Sequence, residues 1–364
     1  MPHPLTPHLR CGAGVDFYYP LPRFVPAIQS VVNSYGIRAA GAGDGLDSWL
    51  GQPCPLRQHR GPAPNGVRQP PVPTIGRWRS TWSLITLYTP CSTLTVLITG
   101  IGRATAQLLA ARGWRVYASA RKLESVADLA SDAITPLALD VTDETSCREA
   151  VRYVLSQAGR IDALINNAGY GRTGPLEEIP LEDVRAQFEV NTFAPLRLAQ
   201  LVIPTMRAKC SGRIVNVSSV MGRVAVPFLG LYNASKFAQE AMSDALRMEL
   251  SPWGIHVILI EPGSVHTPFY TRVAHYAART LDNPDSPYRA RVERALRLTG
   301  GQGLFAGSPP EKVAQVIHTA LTARHPRARY LATWDARLTL MLLALPDGLR
   351  DWALRMGLEL EQSN

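Results

Sequence analysis

A serine, a tyrosine and a lysine occur at a spacing that could carry out proton transfer. Tyr232 and Lys236 lie four residues apart, and Ser219 lies thirteen residues before the tyrosine. Residues i and i+4 of a helix share one face, so the phenol and the ammonium would point into the same volume. The pKa of a free tyrosine is ~10, and a neighbouring cation lowers it towards neutral pH. With a serine hydroxyl orienting the substrate, this set could move a proton on or off a carbonyl or alcohol oxygen.

The residues around this set predict the elements that position it. Ile214, Val215 and Val217 form a short β-branched run, which is typical of a strand buried on both faces. Ser219 follows the end of that strand. A helix that begins near Tyr232 would then place the phenol beside the strand end.

Strand and helix patterns alternate through residues 94–364. The predicted strands are 94–99, 114–119, 134–139, 163–165, 213–217, 256–261 and 329–332. The predicted helices are 103–112, 123–131, 145–158, 181–206 (which Pro195 could kink) and 232–250. This order predicts a parallel sheet. We therefore expect an α/β fold with a doubly wound, Rossmann-type sheet of about seven strands and helices on both faces. Such sheets bind ligands at the carboxyl ends of their strands.

Residues 1–93 differ in composition from the rest of the chain. Prolines crowd there, and glycine and arginine fill much of the space between them. Proline at this density prevents helices and sheets from propagating, so we predict a disordered or loosely attached extension. A wrongly assigned translation start is an alternative interpretation. We expect residues 94–364 to form a single domain, with a C-terminal substrate or flap segment from about residue 265.

The composition narrows the class of protein. The formal net charge is +9, but the basic residues are scattered without a run of five, so no nucleic-acid partner is expected. The five cysteines are far apart and odd in number, which fits neither a zinc site nor a disulfide framework and favours the cytoplasm. No metal is expected. No transmembrane span is expected either, because the longest apolar run is far shorter than the roughly 20 residues that a span needs. The apolar stretch 338–358 could be a flap, a dimer contact or a helix at a membrane surface.

Several further motifs occur in an order that a known family shares. They are VLITG at 96–100, LDV at 139–141, NNAG at 166–169, Asn191 in VNTF, SS at 218–219, YNASK at 232–236 and PG at 262–263. Through these motifs the chain resembles the short-chain dehydrogenase/reductases from about Thr95 to its C-terminus. The run 262–267, the loop between Ser219 and Tyr232 and the tail after Pro309 resemble the 17-beta-hydroxysteroid and retinol dehydrogenase branch.

The resemblance implies a role for each member of the catalytic set. Tyr232 would be the general acid/base, Ser219 would orient the carbonyl, and Lys236 would bind the nicotinamide ribose and lower the tyrosine pKa. Asn191 would lie at a break in the long helix and hold a water of the proton relay. Ser218 is the alternative to Ser219, although the thirteen-residue spacing favours Ser219.

The resemblance also implies a nicotinamide dinucleotide. The implied contacts are Asp140 and Val141 with adenine, Asn167, Ala168 and Gly169 with the adenosine ribose, Tyr232 and Lys236 with the nicotinamide ribose, and Pro262, Gly263 and Thr267 with the nicotinamide.

At the end of the second predicted strand, Ala120 and Arg121 stand where NAD-specific members carry an acid. A guanidinium in place of the acid suits a 2′-phosphate, so we expect NADP(H) over NAD(H). An ordinary surface arginine is the alternative interpretation.

The glycine turn after the first strand is shorter than the family pattern T-G-x-x-x-G-x-G. The chain has Thr99, Gly100, Ile101 and Gly102, with four residues missing. A truly short turn would lose several N–H donors to phosphate, at ~0.5–1.5 kcal/mol each, whereas an error in the coding sequence would leave the real site intact. Two functions are therefore open: an NADP(H)-dependent carbonyl reductase or alcohol dehydrogenase, and a non-catalytic binding or scaffold protein of the same fold.

Apolar residues flank the expected site. Ser219 and Tyr232 would contact the substrate together with Met221 and Phe228 from the loop between them. These residues suit a lipophilic substrate such as a steroid, a retinoid or a long-chain acyl ketone, although core packing explains them about as well.

Because family members are commonly dimers or tetramers, we expect a homodimer or homotetramer. We expect a cytoplasmic protein that could contact a membrane peripherally.

Overall fold

The computed structural model describes residues 93–100, 102–299 and 307–358. The predicted extension, apart from Thr93, and the predicted cofactor residue Ile101 lie outside these described residues. The strands in the described ranges are β1 Thr95–Ile98, β2 Arg115–Ala120, β3 Ile134–Ala138, β4 Ala163–Asn166, β5 Gly212–Val217, β6 Ile255–Glu261 and β7 Arg329–Leu331. The α-helices are α1 Arg103–Ala111, α2 Glu144–Ala158, α3 Leu181–Phe188, α4 Ala194–Ala208, α5 Gly230–Leu250, α6 Phe269–Leu281, α7 Arg289–Thr299, α8 Pro310–Thr322, α9 Trp334–Met341 and α10 Asp347–Gly357.

The described strands form one parallel sheet in the order β3-β2-β1-β4-β5-β6-β7. The chain leaves β1 towards β2 and β3 on one side and later returns to add β4 on the other. This reversal opens a crevice at the carboxyl ends of β1 and β4, where doubly wound sheets bind their ligands. The predicted α/β fold with a seven-stranded, doubly wound sheet is confirmed.

Apolar layers cover both faces of the sheet. Val96 and Ile98 of β1 pack into one layer with Leu109 of α1 and Ile317 of α8. Leu97, which points to the opposite face, packs into a second layer with helices α2 and α4. Because both faces are covered, the strands are nearly continuous apolar runs instead of alternating ones.

The long helix predicted at 181–206 is interrupted at the place where a break was expected. Helix α3 passes into a π-helical turn over Glu189–Phe193, and α4 follows directly. Asn191 lies within this turn. Pro195 lies in the first turn of α4, where a missing N–H costs little, so the interruption comes from the π turn before it.

The prediction of a helix at 123–131 is wrong. Two 3₁₀ turns, Leu123–Ser125 and Ala127–Leu129, replace it. The guanidinium of Arg103 donates to the Ser125 carbonyl at 3.2 Å and to the Asp128 carboxylate at 3.0 Å. These bonds fasten the segment to the start of α1 and use a carbonyl that a continuous helix would need.

The thiol of Cys147 is buried and free. In the described ranges, no helix combines the length and the apolar character that crossing a membrane requires.

Candidate active site

Helix α5 carries the predicted tyrosine–lysine pair at its start. Tyr232 lies in the first turn and Lys236 one turn later, and the lysine is only 4% exposed. Its Nζ donates to the carbonyl oxygen of Val217 at 2.8 Å, which places the ammonium at the carboxyl end of β5. Burial lowers the pKa of Lys236 to about 8, and the carboxylate of Glu240 opposes part of that shift. The site therefore holds a cation whose charge is lost only slightly above neutral pH.

The two candidate serines face different neighbours. The Oγ of Ser219 donates to the Pro262 carbonyl at 3.4 Å, beside the loop that the resemblance assigns to the nicotinamide. A Cβ built on Gly222 would lie 3.0 Å from the Ser218 Oγ and 2.9 Å from the Glu240 Cγ. Ser218 therefore lies against Glu240, and Ser219 is the serine beside the expected cofactor loop.

Asn191 and Lys236 both lie close to Gly169. The Asn191 Nδ2 donates to the Tyr170 carbonyl at 2.8 Å and to the Ser235 Oγ at 3.0 Å, and the Asn191 Oδ1 accepts from the Tyr170 N–H at 3.1 Å. A Cβ on Gly169 would lie 3.2 Å from the Asn191 Oδ1 and 3.8 Å from the Lys236 Nζ. The turn at this glycine therefore packs closely on Asn191 and lies beside Lys236.

A buried polar network that sequence reasoning missed supports this side of the site. The Oγ of Ser235 donates to the Tyr232 carbonyl at 2.8 Å and accepts from Asn191. Gln187 accepts from the Arg172 N–H at 2.8 Å, and its Nε2 lies 3.5 Å from the Ser235 Oγ. The position of Ser235 between the tyrosine and the lysine was a usable signal, whereas Gln187 had none.

The glycine turn after β1 packs closely on the end of β4. The Oγ1 of Thr99 accepts from the N–H groups of Asn167 at 3.0 Å and Ala168 at 3.1 Å. Gly100 has φ of +68°, and a Cβ there would lie 2.8 Å from the Ala168 Cα. Only glycine suits this backbone conformation and this close approach.

Helix α1 begins directly after the shortened turn. Its N-cap is Gly102, which provides no side-chain cap, and its first internal bond runs from the Ala106 N–H to the Gly102 carbonyl at 2.9 Å. The preceding N–H groups of the helix point out of its end, where an anion can accept from them. The helix is intact from Arg103 onward, so its first turn follows directly on the shortened loop.

Two of the regions predicted to bind the adenosine half lie at the ends of β2 and β3, whereas the predicted ribose residues 167–169 follow β4, and Gly169 lies beside Lys236. Arg121 follows β2 and is exposed, and within the described part of the chain its guanidinium has no ion pair or hydrogen bond. Asp140 follows β3 and accepts from the Thr142 N–H at 2.9 Å and hydroxyl at 2.7 Å. Val141 is buried, and its carbonyl accepts from Arg197 at 3.0 Å.

The loop after β6 is held by the C-terminal part of the chain. The Gly263 N–H donates to the Thr333 Oγ1 at 2.9 Å, and the Ser264 N–H donates to the Asp335 carboxylate at 2.6 Å. A Cβ on Gly263 would collide with that carboxylate. Thr267 is exposed farther along the loop. Thr333 lies 70 residues from Gly263, so no local signal could have found this contact.

An aromatic ring lies beside the tyrosine. The ring of Phe269 lies 5.3 Å from the ring of Tyr232. A Cβ on Gly171 would lie 2.8 Å from the Phe269 Cζ and 3.3 Å from the Tyr232 Cδ2. Of the other predicted substrate residues, Met221 is partly buried, and Phe228 has φ of 65° and lies 6.4 Å from Tyr288, ring to ring. Neither is shown in contact with the Tyr232 ring.

The described residues along this crevice fit a nicotinamide dinucleotide. The left-handed glycine turn and the uncapped end of α1 suit the pyrophosphate, even though the turn is short. The exposed Arg121 suits the adenosine end, and the buried ammonium suits a ribose hydroxyl.

Comparisons with known proteins agree with this geometry. A family model described as short chain dehydrogenase matches residues 93–276. A 3-ketodihydrosphingosine reductase of Bacteroides thetaiotaomicron is 35% identical over 271 residues, which are 72% of this chain and 96% of that protein. Human 17-beta-hydroxysteroid dehydrogenase type 1 is 35% identical over 275 residues, 72% of this chain and 81% of that protein. The crystal structure of a Burkholderia cenocepacia short chain dehydrogenase in complex with NADP superposes with a TM-score of 0.56 at 26% identity, covering 72% of this chain and 98% of the other.

Proposed function

Because the chain belongs to the short-chain dehydrogenase family, we propose that it is an NADP(H)-preferring oxidoreductase that interconverts carbonyl groups and alcohols of lipophilic substrates. The observation that carries this proposal is the buried Lys236, held at the end of β5 one helical turn from Tyr232. A lysine is seldom buried without a specific use. Here its charge would lie beside the phenol that must change its protonation state.

The bound cofactor supplies or accepts a hydride at the substrate carbon. Ser219 donates a hydrogen bond to the substrate oxygen. The Tyr232 hydroxyl gives its proton to that oxygen in the reductive direction and takes it back in the oxidative direction. Lys236 holds the nicotinamide ribose, and its charge favours the phenolate. We assign to Asn191 the water that carries the proton onward.

The preference for NADP(H) is supported by the end of β2. Ala120 provides no carboxylate to accept from a ribose 2′-hydroxyl, and the exposed Arg121 follows it. A guanidinium binds a phosphate in a bidentate manner, whereas it gives a 2′-hydroxyl little advantage. The same feature would therefore favour the phosphorylated cofactor.

The lipophilic substrate class is supported by the aromatic ring of Phe269 and by the names of two relatives. The Phe269 ring, next to Tyr232, leaves an apolar surface beside the reacting oxygen. The two curated relatives are named for a 3-ketodihydrosphingosine and for a 17-beta-hydroxysteroid, both of which are lipophilic. We propose a ketone or secondary alcohol of comparable character for this chain.

A second candidate function is a non-catalytic binding or scaffold protein. The observation that favours it is the short turn from Gly100 to Gly102, which leads straight into α1 and offers fewer N–H groups than the family pattern. Loss of three or four phosphate bonds would weaken cofactor binding by orders of magnitude.

Titration of NADPH against the purified full chain, followed by nicotinamide fluorescence, separates the two candidates. Binding at about micromolar concentration supports the enzyme, and no binding at about millimolar concentration supports the scaffold. A variant with four residues, x-x-x-Gly, inserted after Gly100 provides the comparison. If the short turn is the defect, the insertion restores affinity; if the wild-type chain already binds, the insertion changes little.

We propose that the chain associates through helix α5. Phe237 and Met248 are 43% and 63% exposed on one face of this helix. The exposed Ala241 lies between them along the helix, and the exposed Ala234 comes three residues before Phe237. An apolar face with small residues allows two helices to approach closely, which supports a homodimer or homotetramer. Light scattering after gel filtration measures the mass, and Ala241→Glu should return the chain to the monomer.

We propose a cytoplasmic protein that contacts membranes peripherally. Leu338, Met341, Trp352 and Met356 are exposed on helices α9 and α10. Apolar and aromatic side chains on short surface helices can enter a lipid interface. Flotation with liposomes tests this contact, and recovery of all the protein in the lipid-free fraction would contradict it.

We also propose that residues 94–364 form the catalytic domain, in which the segment from about residue 265 covers the substrate. A truncated chain that begins at Ser92 should keep cofactor binding. Loss of binding or of solubility in that variant would show that the preceding residues belong to the domain.

A further inference from the structure

Gln239 contacts the ammonium of Lys236 directly. It follows the lysine by three residues on helix α5 and is only 3% exposed. The Lys236 Nζ donates to the Gln239 Oε1 at 3.0 Å. An ammonium has no acceptor, so the oxygen of the amide, and not its nitrogen, must face it.

The two bonds of the ammonium leave one N–H for the crevice. One N–H is taken by the Val217 carbonyl at 2.8 Å and another by Gln239. A Cβ on Gly169 would lie 3.8 Å from the Nζ, which places the ammonium against the turn that follows β4, at the carboxyl edge of the sheet. We propose that Gln239 is a positioning residue, which keeps the Lys236 ammonium charged and directs its remaining N–H towards the bound ribose. This role rests on the proposed oxidoreductase function.

Four other titratable groups lie on the same helix as Lys236 or on the neighbouring strands. Tyr232 and Glu240 lie one turn before and after it on α5, while Glu261 comes from β6 and Arg329 from β7. The Arg329 Nε lies 3.0 Å from a Glu240 oxygen and 3.1 Å from a Glu261 oxygen. The Glu240 carboxylate is thus shared with a guanidinium, and the ammonium donates to the neutral oxygens of Val217 and Gln239.

The amide oxygen therefore contributes directly to the charge state of the lysine. Desolvation favours the neutral amine, and it lowers the pKa of Lys236 to about 8. An acceptor at hydrogen-bond distance favours the charged form. Changing the acceptor at position 239 should move the titration of Lys236 in a direction set by the charge of the new side chain.

The scarcity of lysine makes this titration directly measurable. The chain contains four lysines, Lys122, Lys209, Lys236 and Lys312, and only Lys236 is buried. With isotope-labelled lysine, the ε-carbon signals of the full chain can be followed by NMR against pH, without cofactor or substrate. The signal that disappears in Lys236→Arg is that of Lys236, and its midpoint in the wild-type chain should lie at about 8.

Two substitutions should move this midpoint in opposite directions. Gln239→Leu removes the acceptor and should lower the midpoint by about one pH unit. Gln239→Glu places a carboxylate against the ammonium and should raise it by about one unit or more. Gln200→Leu, at an exposed position of α4, is the control and should leave it unchanged.

Opposite shifts in the two folded variants support the positioning role. An unchanged midpoint in both, or shifts in the same direction, would overturn it, with circular dichroism verifying the fold. If Gln239→Leu does not fold, Gln239→Asn replaces it, because the shorter side chain withdraws the acceptor. No turnover is read, so the outcomes are separable: if the midpoints move but NADPH does not bind, the oxidoreductase proposal fails and the Gln239 contact stands.

Discussion

The Lys236 ammonium donates a 2.8 Å hydrogen bond to the carbonyl oxygen of Val217, so helix α5 is fastened to the last residue of β5. The bond fixes a buried cation at the carboxyl edge of the sheet, where the fold places its ligand crevice. A surface lysine at the same helical spacing would be free to turn into solvent. The cation is thus part of the site before any ligand arrives.

The rate of carbonyl reduction should depend on pH through Lys236. Burial lowers the pKa of this lysine to about 8, so its charge is present below that pH and is lost as the pH rises through it. We expect kcat/KM for reduction to fall above about pH 8. In Lys236→Arg the cation stays charged, and the alkaline limb should move to higher pH even if the rate is low. A wild-type profile that stays flat to about pH 10 would contradict this assignment.

Arg121 should decide the choice of cofactor. Its guanidinium is exposed at the end of β2, and loss of a charged bond to a phosphate costs about 1.5–3 kcal/mol. Arg121→Ala should therefore weaken NADPH binding by roughly 10- to 100-fold and change NADH binding little. Fluorescence titration with both cofactors measures this, and Lys122→Ala, at the next exposed position, is the matched control. An equal loss for both cofactors would show that the arginine does not read the 2′-phosphate.

Gly171 should set the room available beside Tyr232. In Gly171→Ala the new Cβ would lie 2.8 Å from the Phe269 Cζ and 3.3 Å from the Tyr232 Cδ2, so the aromatic ring of Phe269 must shift and the room beside Tyr232 should change. We expect kcat/KM for bulky ketones to fall by about tenfold or more, and that for small ketones to fall less. Gly348→Ala, where a Cβ meets nothing within 4 Å, is the control. Equal losses for large and small ketones would argue against a steric role.

Arg329 should be a major contributor to stability. It forms ion pairs with Glu240, Glu261 and Asp244 at 2.7–3.1 Å, and both glutamates are buried. Arg329→Met leaves the buried Glu240 without its cation, while Glu261 keeps Arg223 at 3.3 Å, and the change should lower the free energy of unfolding by about 3–5 kcal/mol. Urea denaturation measures the change. Arg297→Met breaks an exposed pair and should cost less than about 1 kcal/mol, and similar losses in the two variants would contradict the argument.

The sequence predicts the parts of this molecule that depend on local patterns. The apolar run at 213–217 becomes β5 because a strand covered on both faces needs no polar alternation. The i, i+4 spacing places Tyr232 and Lys236 on one side of α5 because helical geometry requires it. The order of strands and helices likewise predicts the doubly wound sheet, which is confirmed.

Contacts between distant segments could not be predicted in the same way. Asp335 fixes the backbone after Gly263 and excludes any side chain at that glycine, but nothing near either residue in the chain indicates the partner. The 3₁₀ turns that follow β2 arise because Arg103 takes the Ser125 carbonyl, and a helical pattern cannot reveal such competition. Gln239 is the exception, since its position three residues after Lys236 could have been noticed.

The most direct test of the account is the turnover of Tyr232→Phe with NADPH and a lipophilic ketone. Removing the one hydroxyl should lower kcat by about 10²- to 10⁴-fold. NADPH affinity should change less than about threefold, since the ring and its contact with Phe269 remain. Tyr153→Phe, at an exposed tyrosine, should keep full activity. Turnover by Tyr232→Phe at close to the wild-type rate would contradict the claim that this phenol moves the proton.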